Sequence, residues 1–526
     1  MNYLLKSILV CLAVIQGISL GAETRPKLMV GIIVDQLRTD YLENLKGLLG
    51  EGGFKRLMDR GVYLQDVDFM VPGGDMASAA AIIQTGAYPK QNGVPGALVF
   101  DQSSNSFKSV FQDESYIGNF TSETYSPAGL RVTTLTDEIA VENGGKNKIH
   151  SISPDAAQAI VLAGHTGNSA FWINDETGRW SSTTYYGNLP TILQNKNYNS
   201  PLISRLDTMR WEPLKKGLQY PYISLQEAKD GFRHTFSRSD KDVFDYYKNS
   251  PYVNTDITDA AIEYVNGLNL GKNSDLTDVL NLGYTLAVMP NFDKADYRYE
   301  LEDAYLRLDK DLERLFNVLD KQVGENNVFV YLVSTGYFKE PPIQNPEFKL
   351  PGGTFSVKRA MSLLNAYLSA KYGNGAYVNQ FADHQVYLSK NVLEEKQLDL
   401  YKIAEESRDF LVKMSGIADA FTLGDLMSVS GSYLDPHRRA IDPKLAGDII
   451  IDFNPGWKVV DDSRFPPQTQ DIKTTTYLMP GFLMGPDIRP RVVTETVEAT
   501  AIAPTISKAL RIRAPNSAVS KPLHLN

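Results

Sequence analysis

Residues 70–86, MVPGGDMASAAAIIQTG, form the segment whose residue types and spacing bear most directly on chemistry. They follow a strand-like run, residues 61–69, and open a helix-like run of small side chains. Strand-to-helix junctions of this kind are where α/β enzymes place nucleophiles and bind phosphate. Asp75 and Ser78 are the residues here that could attack a substrate, whereas the thioether of Met76 cannot attack phosphorus.

Several motifs outside this segment occur in a fixed order along the chain. They are KLMVGIIVDQLR at 27–38, TGAYP at 85–89, QNGV at 91–94, AGH at 163–165, EDAYLRLD at 302–309 and GPDI at 485–488. Together they resemble the alkaline phosphatase superfamily, and within it the phosphate-irrepressible alkaline phosphatases and related phosphodiesterases. The resemblance covers nearly all of the chain after residue 22. It implies an α/β fold, with an alkaline-phosphatase-like three-layer core around a mostly parallel central sheet.

The resemblance also implies a zinc site, and most of its positions differ in this chain. Asp35 matches the family's first metal-binding aspartate. Met76 stands at the nucleophile position, Ala97 at the phosphate-contacting asparagine, and Asp155 and Ala157 at the lysine and arginine that hold the phosphate. The remaining ligand positions fall near Thr335, Gly336 and Leu478, and residues 289–294 lack the histidine expected there.

These differences predict a catalytically degenerate member, a pseudoenzyme without zinc or another cofactor. A two-metal phosphatase needs several Asp or His ligands for each zinc ion. The predicted role is a non-catalytic binding or scaffolding component of the bacterial cell envelope. Its predicted partner is another envelope protein, for example in an assembly or secretion complex. The alternative is a secreted, zinc-dependent phosphomonoesterase or phosphodiesterase with a rearranged active site. A third hypothesis retains anion binding by helix-start amides without turnover.

Structural roles compete with functional ones at the candidate residues. Asp75 is predicted to cap the helix that follows it, and Ser78 to pack within that helix; both are also the substitute nucleophiles. Asp383-His384 imitates a ligand dipeptide of the family, but it lies well past the expected strand. His165, in the retained AGH motif, is predicted to make a structural hydrogen bond.

Composition indicates an exported globular protein. Residues 1–22 read as a signal peptide, with Lys6 before an apolar run at 8–15, and residues 23–526 as the mature domain. Cys11 is the only cysteine, and Val10 before it fits a lipoprotein cleavage site poorly, so we expect a periplasmic or otherwise exported protein without a lipid anchor. Loss of Lys6 leaves 52 basic against 62 acidic residues, which argues against nucleic acid as a partner. No later run is apolar enough to span a membrane.

Three short apolar runs predict buried parallel strands, at 28–34, 285–288 and 328–333. Leucines spaced along one face of residues 301–319 predict a core-facing helix. Residues 353–430 read as an inserted α+β subdomain, with helices at 357–371 and 398–415 around a strand at 385–388. Residues 190–254 read as a cap-like insertion, and its tyrosines (198, 220, 222, 246, 247 and 252) suit either a partner surface or a cap over the pocket.

Overall fold

The computed structural model describes residues 25–215, 220–221, 223, 225–287, 297–336, 352–428, 431–464, 467–473 and 476–525. The predicted signal peptide therefore lies outside the described residues, as do Tyr222 and residues 289–294 of the expected ligand segment. None of the helices in the described ranges combines the length and hydropathy needed to cross a lipid bilayer.

The described strands are β1 Leu28–Asp35, β2 Val62–Leu64, β3 Val67–Asp68, β4 Leu98–Asp101, β5 Ser106–Ser109, β6 Gly118–Asn119, β7 Ile149–Ile152, β8 Ser169–Ile173, β9 Trp180–Thr183, β10 Arg210–Trp211, β11 His234–Thr235, β12 Asp278–Thr285, β13 Val328–Ser334, β14 Thr354–Ser356, β15 Val378–Ala382, β16 Gln385–Leu388, β17 Ile417–Thr422, β18 Ile449–Phe453, β19 Lys458–Asp461, β20 Gln468–Asp471, β21 Gly481–Met484, β22 Arg491–Val493 and β23 Val497–Glu498.

The described α-helices are α1 Thr39–Leu45, α2 Phe54–Arg60, α3 Met76–Thr85, α4 Pro89–Asn92, α5 Leu135–Glu142, α6 Ala156–Ala163, α7 Thr191–Asn199, α8 Leu202–Arg205, α9 Leu225–Asp230, α10 Val243–Lys248, α11 Pro251–Gly267, α12 Arg298–Gln322, α13 Val357–Tyr372, α14 Lys390–Glu395, α15 Leu400–Leu411, α16 Leu423–Ser428, α17 Asp435–Ala440 and α18 Ile502–Leu510.

A ten-stranded sheet forms the centre of the molecule, in the order β22-β2-β21-β13-β1-β12-β7-β8-β9-β6. Its five middle strands, from β13 to β8, are mutually parallel. The predicted α/β fold with a mostly parallel sheet is confirmed. The strand expected at 285–288 is wrong in its bounds, because the strand is Asp278–Thr285 and contains the polar residues Asp278 and Asn281, which conceal its buried character.

The two faces of this sheet bury separate apolar clusters. One contains alternate residues of β1, such as Val30 and Ile32, with Leu308 and Leu312 of α12. The other contains Met29 and Ile33 of the same strand with the small residues of α3 and α6. Side chains of a strand alternate between its faces, so β1 packs against helices on both sides, as a central strand of an α/β core does.

Helix α12 confirms the predicted core-facing helix and also fixes the chain around it. The carboxylate of Asp303 accepts hydrogen bonds from Trp211 Nε1 (2.7 Å) and the Leu214 amide (2.6 Å) of the 190–254 region. Arg307 Nε completes this set at 2.6 Å. The EDAYLRLD motif therefore holds the insertion against the core.

Most of the described tyrosines in the 190–254 region are buried or half-buried. Tyr220 and Tyr247 are buried, whereas Tyr198 is 68% exposed. Tyr220 Oη donates to Asp303 Oδ1 at 3.0 Å, which places it inside the attachment of the insertion. Both predicted roles of this region, a partner surface and a cap over the pocket, stay predictions.

The α+β insertion contains a four-stranded sheet, β15-β16-β18-β17, with its own apolar cluster. Helix α13 and strand β16 agree with the predicted elements, and α15 is shorter than predicted at both ends. The cluster continues to Val459, beyond residue 430. The exact bounds of both insertions stay predictions.

Candidate active site

The carboxyl ends of β1 and β13 meet at a carboxylate and a hydroxyl group. Strand β1 ends at Asp35, and Thr335 follows β13 directly. Thr335 Oγ1 donates a hydrogen bond to Asp35 Oδ1 at 2.6 Å, and the Thr335 amide donates to the Val34 carbonyl at 3.2 Å. Asp35 is 8% exposed and Thr335 is 3% exposed. Because the two strands are adjacent and parallel, their register brings these two side chains together.

Positive charge lies beside this pair. Desolvation of its ammonium group and the charge of the nearby Arg38 lower the pKa of Lys473 to about 8, whereas the charge of Asp35 acts to raise it. The residue as a whole is exposed to solvent. The Arg38 guanidinium lies 3.7 Å from the centre of the Tyr477 ring and also pairs with Asp40. Lys473 thus lies within electrostatic range of Asp35, and Arg38 lies within electrostatic range of Lys473.

Leu478 and Gly336 reach the same edge, as the resemblance implies for their positions. The Leu478 carbonyl accepts a hydrogen bond from the Thr39 amide at 3.0 Å, and its side chain is 49% exposed. Gly336 has φ +72°, and a Cβ atom there would lie 2.2 Å from Met479 Sδ. Apolar side chains of Met479 and Phe69 therefore surround Gly336, whereas Leu478 contributes a backbone hydrogen bond and a half-exposed side chain.

The start of α3 is built around Asp75. Asp75 Oδ1 accepts from the Ser78 amide at 2.9 Å, and Ser78 Oγ accepts from the Asp75 amide at 3.0 Å, which forms a reciprocal capping box. Asp75 Oδ2 accepts from the Ala97 amide at 2.6 Å. Burial raises the pKa of Asp75, and the charge of Asp383 adds to the increase. The predicted N-cap is confirmed, and Ser78 takes part in the cap rather than only packing.

Asp155 has the corresponding place at the start of α6. Its Oδ1 accepts from the Ala157 amide at 2.9 Å, and burial raises its pKa. Asp75 contributes to the increase, so the two capping carboxylates lie within electrostatic range of each other. The loss of the phosphate-holding residues at Asp155 and Ala157 stays a prediction.

Two other histidine motifs have structural explanations. Asp383 and His384, with φ +45° and +60°, form the two-residue turn between β15 and β16. His384 Nε2 pairs with Gln470 Oε1 at 2.9 Å. His165 lies 2.9 Å from Asp137 Oδ2 through Nδ1 and 3.0 Å from the Leu130 carbonyl through Nε2, which confirms the predicted structural hydrogen bond.

The described residues do not fit the zinc site that the resemblance implies. Among them, no group of three or more His, Cys, Asp or Glu side chains is close enough to hold a metal ion. The Asp35 carboxylate instead accepts from Thr335 Oγ1 and, at 3.4 Å, from Gln36 Nε2. The sequence analysis named Thr335 only as a lost ligand position and did not identify Lys473, whose proximity to Asp35 depends on a distant segment of the chain.

Comparisons with known proteins extend over nearly the whole chain. The chain is 30% identical to alkaline phosphatase PafA of Elizabethkingia meningoseptica, over 96% of this chain and 95% of that protein. It is 28% identical to alkaline phosphatase PhoV of Synechococcus elongatus, over 94% and 92% of the two chains. The crystal structure of wild-type PafA superimposes with a TM-score of 0.79 at 27% identity, covering 95% of this chain and 99% of that one.

These findings correct the non-catalytic interpretation of the sequence. The pseudoenzyme and scaffold hypothesis is wrong, because the relatives that match from end to end are named as alkaline phosphatases and share the whole architecture, so the comparisons favour the hydrolase alternative. The model of the type I phosphodiesterase / nucleotide pyrophosphatase family matches residues 29–477, and the chain belongs to that family of phosphoric ester hydrolases.

Proposed function

We propose that the mature protein is an exported phosphoric ester hydrolase with a rearranged active site, in which Thr335 is the nucleophile and Asp35 its general base. The observation that carries the proposal is the 2.6 Å hydrogen bond from Thr335 Oγ1 to Asp35 Oδ1 at the carboxyl edge of the sheet. A hydroxyl group and a base within hydrogen-bond reach are the minimum for nucleophilic catalysis. The alkaline phosphatase activity of the relatives supplies the reaction class.

The proposed reaction uses groups of this chain and one water molecule. Thr335 Oγ1 attacks phosphorus while its proton passes to Asp35, the bond from phosphorus to the ester oxygen breaks, and the leaving oxygen takes the proton from Asp35. A water molecule then attacks the phosphothreonine while its proton passes to Asp35, and that proton moves to Thr335 Oγ1 as the bond from phosphorus to this oxygen breaks. Lys473 and Arg38 supply positive charge beside the pair, where it would stabilise the phosphoryl oxygens in the transition state.

The substitute nucleophiles predicted from the sequence are less suited to this role. The oxygens of Asp75 accept hydrogen bonds from two backbone amides, and Ser78 Oγ both accepts from the Asp75 amide and donates to the Asp75 carbonyl. Breaking these contacts would uncap α3. Thr335, in contrast, already donates to the base that would accept its proton.

Export is the second part of the proposal. The leader-like residues 1–22 and the lack of cysteine after Cys11 support a periplasmic or secreted enzyme without disulfides. The net negative charge of the mature chain argues against nucleic acid as its substrate. An envelope protein as binding partner is compatible with this location.

Three conservative variants test the assignment of the nucleophile and the base. The wild type, Thr335→Val, Thr335→Ser and Asp35→Asn are assayed with p-nitrophenyl phosphate and bis(p-nitrophenyl) phosphate. We expect Thr335→Val to lose about 10³-fold or more in kcat, in the range seen when a nucleophile is removed. Thr335→Ser keeps a hydroxyl group and is expected to retain most activity. Asp35→Asn keeps an acceptor but not a base, and is expected to lose about 10²–10⁴-fold.

Thermal unfolding of all three variants separates catalysis from folding. Activity that survives Thr335→Val in a folded protein would refute the nucleophile assignment. Wild-type protein without turnover of either ester, at any pH and with or without added zinc, would refute the hydrolase proposal itself. Zinc content by elemental mass spectrometry, after incubation with excess zinc and desalting, tests the misfit independently; two bound ions per chain would contradict it.

A further inference from the structure

An apolar rim lies directly beside the proposed nucleophile. Gly336 follows Thr335 in the chain, and a Cβ atom at Gly336 would lie 2.2 Å from Met479 Sδ and 3.0 Å from two carbon atoms of the Phe69 ring. The Met479 carbonyl accepts a hydrogen bond from the Val67 amide at 2.7 Å, which joins the segment before β21 to β3. A thioether and an aromatic ring therefore form the wall next to Thr335.

Part of this rim remains open to solvent. Met70, Val71 and Met479 are half-buried against the apolar cluster that includes α3, and Leu478 is 49% exposed. None of these four side chains carries a charge or a strong hydrogen-bonding group. Apolar groups that stay open to water beside a reacting group are available for contact with a substrate.

The chain after β3 is bent where it enters the rim. Met70 has φ +54°, a left-handed conformation that costs free energy for a bulky residue. Its amide donates to Asp68 Oδ1 at 2.9 Å, and this hydrogen bond holds the bend. Backbone strain of this kind concentrates at ligand-binding segments. Methionine suits such a segment, because its flexible and polarizable thioether adapts to apolar ligands of different shape.

The place of the rim determines which part of a substrate it contacts. In phosphoryl transfer the attacking and leaving oxygens lie roughly in line through phosphorus. The leaving group is thus on the side opposite to Thr335, whereas the groups that stay on phosphorus lie around its equator, closer to the nucleophile. A phosphomonoester retains only polar oxygens there, whereas a phosphodiester also retains an organic group. An apolar wall next to Thr335 therefore matches a retained group that is a hydrocarbon.

We propose that this rim is a specificity subsite for the retained alkyl group of an apolar phosphodiester, with Met479 as its main contact. The inference rests on the proposed hydrolase function, because the position of Thr335 defines the subsite. The alkyl group stays on phosphorus through both steps of the reaction and is released as an alkyl phosphate. A small soluble diester and a phospholipid share this chemistry.

Steady-state kinetics with methyl and butyl p-nitrophenyl phosphate tests the proposal, because both esters release p-nitrophenolate and differ only in the retained alkyl group. We expect kcat/KM of the wild type to be about tenfold higher for the butyl ester, below the limit of roughly fourfold for each added methylene group that complete burial would give, because the rim is partly open.

Two methionine variants assign the preference to the rim. Met479→Gln keeps the length of the side chain and replaces its thioether with an amide, and should reduce the butyl-to-methyl ratio to about twofold or less, since an alkyl group would then desolvate a polar group. The matched control is Met484→Gln, at the opposite end of β21 and packed against the other face of the sheet, which should keep the wild-type ratio. Both esters are measured on one preparation, so partial unfolding of a variant cancels in the ratio.

The outcomes separate this subsite from the hydrolase function itself. Equal kcat/KM for the two diesters in the wild type, or the same ratio in both methionine variants, would overturn the subsite. Hydrolysis of p-nitrophenyl phosphate without hydrolysis of either diester would do the same. A wild type that hydrolyses none of the three esters would refute the hydrolase function and the subsite with it. Octyl p-nitrophenyl phosphate distinguishes the two sources of substrate: a further increase beyond butyl indicates a lipid, and a plateau indicates a small diester.

Discussion

Helix α12 and the start of α3 both belong to motifs shared with the family, but their polar residues have different kinds of partner. In α12 the partners are inside the protein: Asp303 binds a tryptophan, an arginine and a backbone amide, and Asp309 accepts from the amides of Gly50 and Phe54 at 2.7 and 2.8 Å. Tyr305 Oη accepts from the Arg38 amide at 2.7 Å. This motif is needed for the fold whatever the reaction.

At the start of α3 the resemblance predicts residues that contact a substrate, and it places Met76 and Ala97 at two of those positions. Met76 cannot attack phosphorus, and Ala97 contributes only its backbone amide, to Asp75. Retained motifs thus report the architecture, whereas residues that face a ligand can change while the architecture stays. The difference explains why the chain resembles phosphatases throughout and yet requires its reacting groups to be found at another strand end.

The largest effect on stability is expected from removing Asp303, a residue of α12 that binds the 190–254 region. Asp303→Ala leaves the buried Trp211 Nε1 and the Arg307 guanidinium without their carboxylate, and loss of one partner of a buried ion pair costs about 3–5 kcal/mol. Urea unfolding should show this loss in the free energy of unfolding. The control is Asp59→Ala, at an exposed position of α2, which should stay within about 0.5 kcal/mol of wild type as surface changes usually do. An equal, small effect of both variants would mean that α12 does not anchor the insertion.

A smaller effect is expected at the start of α3. Asp75→Ala removes the helix cap and the acceptor of the Ala97 amide, which together should cost about 2 kcal/mol. Asp75→Asn keeps one acceptor oxygen and should cost less. Both variants should retain phosphatase activity at equal folded fraction, because we assign the nucleophile to Thr335.

Activity measurements decide whether Asp75 is only a helix cap or is also a reacting group. Loss of turnover in Asp75→Asn by more than about 10²-fold, with unfolding unchanged, would identify Asp75 as a reacting group and move the site back to the family's position. The start of α3 would then keep a catalytic role with a different residue, and the contrast with the structural role of α12 would be smaller.

Much of the fold was accessible from the sequence, because apolar runs and leucine spacing determine β1, β13 and α12 with little help from distant residues. The Asp75 cap was accessible for the same reason, since its partner Ser78 is three residues away. Strand β12 was misplaced because it begins with Asp278 and includes Asn281, a buried polar residue bonded to the Leu162 carbonyl at 2.7 Å. Its polar side chains are satisfied only by tertiary contacts.

The resemblance places Asp35 and Thr335 at one metal site and so implies that they lie close together, but the hydrogen bond between their side chains could not be predicted from local patterns. The two residues are 300 positions apart and meet through the register of β1 and β13. Lys473 reaches them from yet another segment, and no motif of the resemblance contains it.

The smallest effect concerns the pH dependence of stability at the retained AGH motif. The hydrogen bond to Asp137 raises the pKa of His165 above its ordinary value of 6.5, against the effect of burial. Burial acts to raise the pKa of Asp137, but the hydrogen bond from His165 and those from Thr134 lower it below 3.8. Both ring nitrogens face acceptors, as an imidazolium requires.

The sign of the stability change follows from these two directions. The contribution of His165 is complete below pH 6.5 and is lost as the pH rises through its higher folded-state pKa, whereas that of Asp137 is complete above pH 3.8 and is lost as the pH falls through its lower one. His165→Gln should therefore lower Tm most near pH 5 and least near pH 9. The control is His384→Gln, because the partner of His384 is the amide of Gln470 and not a carboxylate. A pH-independent difference in Tm would show that His165 acts as a neutral hydrogen-bonding group, and that this motif, unlike α12, is retained without an ion pair.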